Sequence, residues 1–184
     1  VEFAGGDGKL PNAVVGHVSL PLQNVILSGG GTKTLTKEYG EYINKSMVIR
    51  NGTKLAFGNT PIYMKGDWID ENTGDGGFLP GSNNDRSIVT FNGTSRQKIV
   101  LSGNNESFYR VIINNPSDVE IVRAESATEA GIIINKSLEF TNGCLIDTAE
   151  NTSVTLLRTA TVTRPGATSF VAGSLTWKLN AGDN

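Results

Sequence analysis

Short apolar segments of this 184-residue chain recur, in the same order, about half its length further on. In the clearest pair, Ile43–Met47 reads INKSM and Ile134–Leu138 reads INKSL, at an offset of 91. The other pairs, at offsets of 86 to 91, are Val1–Gly5 with Val89–Gly93, Val25–Leu27 with Val111–Ile113, Leu35 with Ile121, and Asn51-Gly52 with Asn142-Gly143. Repetition of short apolar segments is typical of stacked architectures, in which each unit buries one face against its neighbour. The sequence therefore predicts two related repeat units that share a continuous core.

The composition predicts short strands and tight turns. Only 18% of the residues are charged, whereas 22 are Gly. Runs rich in Val, Ile, Leu, Phe and Thr alternate with Gly, Asn, Asp and Pro, which is the pattern of strands separated by turns. The segment Glu125–Ala130 alone could be read as helical, and it is too short to be stable by itself. We therefore predict an all-β fold in which Ile112, Ile133, Leu138 and Phe140 include core residues, with alternation turning some of them outward.

Three all-β architectures compete for this pattern. A sandwich or barrel has no need of a long repeat, and a propeller needs more than two blades. A parallel β-solenoid needs about twenty or more residues per coil. The spacings from Phe3 to Val25 and from Phe91 to Val111 are both plausible coil lengths. Asn at coil corners also fits, because Asn tolerates left-handed backbone and forms side-chain ladders. The solenoid is favoured.

The predicted organisation is one continuous solenoid domain. Residues 1–65 form the first repeat unit, residues 66–86 a polar connecting loop, and residues 87–184 the second repeat unit. The stretch from Gly66 to Asp85 is acidic and rich in Gly around a single Trp. It forms either a loop that projects from the stack or the strand-and-turn segment that opens the second unit.

Charge and composition exclude several classes of function. The net charge is −2 and no basic block stands out, so nucleic acid is not an expected partner. No apolar run is long enough to span a bilayer, so no membrane insertion is expected. His17 is the only histidine, which excludes a histidine-based metal site and leaves no partner motif for a catalytic triad. Cys144 is interpreted as a small strand side chain. The prediction is a protein that is not an enzyme.

The acidic residues of the connecting loop partly imitate a calcium loop. Asp70, Asn72 and Asp75 have the spacing of oxygen ligands, but the closing position falls on Gly81, where a Glu is expected. A weak Ca²⁺ site formed by these three residues is one interpretation, and a solvated polar loop is the other. No other cofactor is expected.

Aromatic residues are candidates for ligand binding. Trp68 and Phe78 flank the acidic loop, with Tyr63 and Trp177 as further candidates. Exposed aromatic rings pack against sugars and anchor protein interfaces, whereas strand aromatics are more often buried. Binding therefore depends on these rings being exposed.

Several phrases resemble recurring phrases of large secreted proteins of the Bacteroidetes. These phrases are Leu27–Leu35, Gly66–Trp68, Val89–Thr94, Gln97–Ile99, Phe108–Asn115, Val119–Ile121, Asn142–Leu145 and Ser169–Leu175. The resemblance implies a right-handed parallel β-helix in a surface adhesin or another very long exoprotein, exported by the type IX secretion machinery. Asp147-Thr148-Ala149 resembles the O-glycosylation signal of such exoproteins, with Thr148 as the acceptor.

The resulting expectation is a structural or adhesive repeat module of a large extracellular protein at the outer-membrane surface. Val1 opens directly on strand-like sequence and Asn184 closes on polar residues, as expected of a piece of a longer chain or of a mature form whose targeting segment has been removed. Surface glycans or other cell-surface proteins are the expected partners. The alternative is a β-helix protein that binds or cleaves polysaccharide, which calls for clustered acids beside an Arg or Lys. The dispersed charges of this chain favour the stalk.

Overall fold

The computed structural model describes residues 1–10, 21–36, 40–57, 60–74, 76–81, 87–103 and 105–178. Among these residues there is no helix, and every regular element is a strand. The strands are β1 (Glu2–Phe3), β2 (Gly8–Lys9), β3 (Val25–Leu27), β4 (Gly31–Thr34), β5 (Glu41–Ile43), β6 (Met47–Ile49), β7 (Thr53–Ala56), β8 (Ile62–Met64), β9 (Trp68–Asp70), β10 (Phe78–Leu79), β11 (Ile88–Phe91), β12 (Gln97–Leu101), β13 (Asn105–Asn114), β14 (Val119–Arg123), β15 (Ala130–Asn142), β16 (Leu145–Asp147), β17 (Thr152–Leu156), β18 (Thr161–Thr163), β19 (Val171–Gly173) and β20 (Leu175–Trp177).

The strands form three parallel sheets. The first sheet has the order β1-β3-β6-β9-β12-β14-β16-β19, the second β10-β7-β4-β2, and the third β20-β17-β15-β13-β11-β8-β5, with β18 beside β15. The chain passes from sheet to sheet and then starts the next coil, whose strands pair with those of the coil before. The result is a β-solenoid of about 7 turns. The predicted parallel solenoid is confirmed. An antiparallel sandwich is excluded, because the strands pair in parallel throughout the described sheets.

Coil length varies while the register is kept. Met47 pairs with Trp68 and Ile99 with Ile121, and these two coils are of nearly equal length. The coil that leads from Trp68 to its partner Ile99 is clearly longer and includes β10 of the second sheet. Extra residues are therefore accommodated between the strands, and the strands themselves remain aligned.

Alternation along the strands builds the core. In the three-residue strands β5, β6, β8 and β9 the first and third residues are buried and the second is half-buried. Buried side chains of successive coils stack in columns, because parallel pairing keeps equivalent positions on one face. Among the four predicted core positions, Leu138 and Phe140 are buried, whereas Ile112 and Ile133 lie half-buried on the outer face.

The recurring segments do not occupy equivalent places in the stack. Ile43 ends β5 in the third sheet, and Met47 begins β6 in the first sheet after a turn. Ile134 and Leu138 both lie in the single long strand β15 of the third sheet. The two segments are therefore alike in sequence but not in their place in the stack. Equal local sequence does not fix the path, since pairing with the neighbouring coil decides where a strand ends.

Part of the predicted connecting loop belongs to the sheets. Trp68–Asp70 is strand β9, between β6 and β12, and Phe78–Leu79 is strand β10, beside β7. The prediction of a loop throughout residues 66–86 is corrected for these two segments. Trp68 follows Met47 by one coil and so continues a buried column. The division into two repeat units stays a prediction.

Buried amides hold the corner between the third and first sheets. Asn115 donates from Nδ2 to the Ser95 carbonyl at 2.7 Å and to Gln97 Oε1 at 3.0 Å. Gln97 donates from Nε2 to the Met64 and Gly66 carbonyls. Each amide thus connects two coils, as the sequence predicts for Asn at corners.

Candidate functional site

Three aromatic rings pack together inside the solenoid, where the first, second and third sheets meet. The ring centroids of Trp68 and Phe78 are 5.2 Å apart, and those of Trp68 and Phe108 are 5.3 Å apart. Both contacts are edge-to-face, the arrangement that aromatic pairs prefer. The exposed fraction of the side chain is 0% for Trp68 and Phe108 and 3% for Phe78. The rings are core residues.

A pair of carboxyl groups, Asp70 and Glu106, lies beside these rings. Glu106 Oε2 accepts a hydrogen bond from Trp68 Nε1 at 3.3 Å, and Glu106 Oε1 accepts one from the Phe78 backbone N–H at 3.0 Å. Asp70 Oδ2 accepts from the backbone N–H of Gly77 at 2.5 Å. We refer to Trp68, Asp70, Phe78, Glu106 and Phe108 as the buried acid cluster.

Glu106 has a strongly perturbed acidity. Burial raises the pKa of its carboxyl well above the ordinary value, and repulsion from Asp70 together with their hydrogen bond raises the pKa further. The N–H groups of Phe78 and Trp68 lower the pKa, but they do not outweigh burial. Glu106 therefore holds a proton in conditions under which an exposed carboxyl is ionised. The proton removes the repulsion that two neighbouring charges would have.

The interpretation of Trp68 and Phe78 as ligand-binding residues is corrected. Both side chains are buried, and their rings contact each other and Phe108. No ring face is left for a sugar, because both side chains point inward and pack in the core. The two other candidates differ: Tyr63 is half-buried on the outer face, and Trp177 is 50% exposed on β20.

The proposed calcium residues support a turn. Asp70 Oδ1 accepts from Asn72 Nδ2 at 2.7 Å, and Asn72 also donates to the Thr53 carbonyl at 3.0 Å. Asn72 Oδ1 accepts from the Gly52 N–H at 2.9 Å. Both side chains are buried, so they hold the neighbouring coil instead of facing the loop. Asp75, like His17, lies outside the described residues. Among the described residues, no group of three or more His, Cys, Asp or Glu side chains could hold a metal ion.

The predicted glycosylation residue Thr148 is exposed directly after β16. Asp147, which precedes it, is buried, and neither carboxylate oxygen has a hydrogen-bond partner in the described structure. The exposure of Thr148 leaves room for a glycan. Glycosylation stays a prediction.

The outer face of the third sheet carries a groove that the sequence analysis missed. Tyr42 and Tyr63 are register partners, and their rings stack with centroids 4.5 Å apart and planes 13° apart. The groove has a volume of about 270 Å³, and we call it the tyrosine groove; the residues that line it are Pro21, Tyr42, Ile43, Asn44, Tyr63, Lys65 and Asn92. Tyr42 and Tyr63 have the same sequence separation as Met47 and Trp68, one coil. This common spacing is the signal that could have revealed the pair.

The tyrosine groove has an aromatic wall and a polar wall. Tyr42 and Tyr63 form the aromatic wall. The polar wall lies two residues further along the strands, where Asn44, Lys65 and Asn92 stack coil on coil through backbone hydrogen bonds to the preceding row. Burial raises the pKa of the Tyr63 hydroxyl, and the neighbouring Tyr42 raises it further, so Tyr63 stays neutral. The groove can thus offer apolar ring surface, amide groups and one cation to a ligand.

No family model matches the chain, and no curated protein or solved structure matches it either. The part of the chain that the structure describes contains no helix long and apolar enough to cross a membrane.

Proposed function

We propose that this chain is a non-enzymatic repeat module of a large extracellular bacterial surface protein, in which it acts as a stalk or adhesive segment. The observation that carries the proposal is the continuous parallel stack of about 7 turns. Each coil adds its inward side chains to one shared core. A scaffold of this kind grows in length without changing its cross-section, which suits a spacer that presents other surfaces at a distance.

The position of the carboxyl groups supports a role without catalysis. Cleavage of a polysaccharide between two carboxyl groups requires that the polymer reach both of them. Asp70 and Glu106 form a close pair, but they are 2% and 0% exposed. Their hydrogen bonds join strands of the stack, and this supports a structural role for the pair.

The sequence resemblance supports the wider setting of the proposal. The parent protein is a Bacteroidetes exoprotein exported by the type IX machinery to the outer-membrane surface. Its partners are surface glycans or other cell-surface proteins. The exposed Thr148 supports an O-linked glycan on this module.

Two assays on the purified chain test this function. Beads that carry the chain should be retained on cell surfaces more strongly than bare beads. Incubation with a panel of neutral and acidic polysaccharides should release neither new reducing ends nor unsaturated sugars. Retention equal to that of bare beads would remove the adhesive role and leave the spacer role. Release of sugar products would overturn the proposal in favour of a polysaccharide-cleaving β-helix.

A further inference from the structure

The tyrosine groove combines three kinds of group that suit one class of ligand. Its aromatic wall offers apolar surface, and the amides of Asn44 and Asn92 offer donors and acceptors. Lys65 supplies an exposed ammonium group, and the described residues that line the groove include no carboxylate. A ligand that uses all three has an apolar face, several hydroxyl groups and a negative charge.

The groove is preformed. The two tyrosine rings stack at 4.5 Å, which restricts both side chains before any ligand arrives. Gly40 makes room for this arrangement, because a Cβ atom there would lie 2.8 Å from Cε2 of Tyr63. Its φ of +95° also favours Gly over other residues. The position of Tyr63 therefore depends on a backbone feature of the coil before it.

Two polar atoms at the groove lack partners. Asn92 Oδ1 and Thr90 Oγ1 are buried, and neither makes a hydrogen bond in the part of the chain that the structure describes. Thr90 is the register partner of Tyr63, and Asn92 lines the groove itself. Buried polar atoms are normally paired, so each unpaired one needs an explanation. Rotation of the Asn92 amide about its soft terminal torsion would present its hydrogen-bonding groups to a ligand.

We propose that the tyrosine groove binds a carboxylated pyranose ring, as found in the hexuronate units of acidic polysaccharides. The C–H groups of the sugar pack against the edges of the stacked Tyr42 and Tyr63 rings, its hydroxyl groups bond to the amides, and its carboxylate pairs with Lys65. The volume of about 270 Å³ is just below the range of ordinary small-molecule sites, which suits a single sugar ring. This inference rests on the adhesive part of the proposed function, and it names the ligand class of that adhesion.

Calorimetric titration with a galacturonate tetrasaccharide tests the proposal, with its methyl ester as the matched uncharged ligand. The wild-type chain should bind the acid with a Kd of about 1 mM or below and the ester about fivefold more weakly. Lys65→Met should weaken binding of the acid about fivefold and abolish the preference for the acid over the ester. Tyr63→Leu should weaken binding of both ligands about tenfold.

Lys98→Met and Tyr109→Leu are the matched controls. Lys98 is exposed on β12 of the first sheet, and Tyr109 is half-buried on β13, so neither lines the groove. Both should bind as the wild type does. Circular dichroism of every variant checks that the fold is retained, and Lys65→Met, an exposed substitution, keeps the test valid if Tyr63→Leu unfolds.

Three results would overturn the inference. They are equal affinity for acid and ester, unchanged affinity in both groove variants, and no saturable binding of the acid. The bead assay separates this inference from the function on which it rests. If wild-type beads adhere and Lys65→Met beads adhere equally well, adhesion stands and the tyrosine groove is not its site.

Discussion

At the scale of single residues, the charge state of Glu106 decides how the buried acid cluster holds together. Glu106 is fully buried against Trp68 and Phe78, and the charged group that raises its pKa is Asp70. Lys54 lies close by and donates to the Gly76 carbonyl at 2.7 Å. A neutral Glu106 can donate to the Asp70 carboxylate, whereas an ionised one would repel it.

This arrangement predicts that stability falls as the pH rises. The folded state raises the pKa of Glu106, so it keeps a proton that the unfolded chain has already released. The stabilisation is therefore complete below the unfolded pKa and is lost as the pH rises through the folded pKa. The urea midpoint of the wild type should fall as the pH rises above about 4.5, the ordinary pKa of a Glu carboxyl, and that of Glu106→Gln should fall less. A fall of equal size in Glu106→Gln would contradict this, and Glu120→Gln, on the outer face, should behave as the wild type does.

Asp70→Asn tests the hydrogen bonds of the other carboxyl group of the buried acid cluster. Asp70 accepts from the N–H groups of Asn72 and Gly77, and an amide nitrogen in place of one oxygen would face a donor. We expect a loss of about 1–3 kcal/mol, the cost of a buried group left without a partner. Equilibrium unfolding in urea measures it. A change below about 0.5 kcal/mol would show that these hydrogen bonds are not needed.

At the scale of elements, the corners decide whether successive coils stay in register. Gly143 connects β15 to β16, with a φ of +79°. A Cβ atom there would lie 1.8 Å from the Asn115 carbonyl oxygen, so the corners of adjacent coils nearly touch. Gly52 has a similar φ of +77° but open space around it, and Gly166 has neither constraint.

These three glycines separate steric clash from backbone strain. Gly143→Ala should destabilise the fold most, because the methyl group meets a carbonyl oxygen and the φ is unfavourable. Gly52→Ala should cost about 1 kcal/mol from the φ alone, and Gly166→Ala should be near neutral or slightly stabilising. Thermal unfolding of the three variants measures the order. Equal melting temperatures for Gly143→Ala and Gly52→Ala would show that the corners can move apart.

The parallel solenoid could be predicted from the sequence, but the course of the chain through the sheets could not. Short strands, alternation and spacings of one coil length indicate a parallel solenoid because these properties are local. The first copy of INKS leaves its strand after Ile43, whereas the second copy continues as strand. Pairing with the neighbouring coil decides between the two, and the local sequence does not. The polar neighbours of Trp68 predict a loop, although Trp68 follows Met47 by one coil and is buried. The contact of Asp70 with Glu106, which belong to different coils, has no local signal.

At the scale of the whole molecule, stability depends on neighbouring coils. β11 pairs with β8 on one side and with β13 on the other, so removal of residues 1–88 exposes one face of Val89 and Phe91. A stack loses interface energy at every new end. The single core crosses the junction between the two predicted units without interruption.

A fragment that begins at Val89 should therefore fold poorly. We expect weak circular dichroism and a broad thermal transition. A chain lacking residues 1–10, which removes the short edge strands β1 and β2, should keep a sharp transition. Cooperative unfolding of the Val89 fragment at the melting temperature of the whole chain would show that the second unit is independent.

The parallel pairing has a mechanical consequence. The first sheet has eight strands, with β1 at one edge and β19 at the other, so the stack is about 34 Å long at a spacing of about 4.8 Å. Its interstrand hydrogen bonds run along the axis, and tension on the two ends loads one row at a time. Each row that yields frees one coil, which is roughly 70–110 Å of extended chain. Force spectroscopy should record successive steps of this size, whereas a single large rupture would contradict row-by-row release. Such a module would be a short, stiff rod at rest. Under load it would extend in steps to many times its resting length.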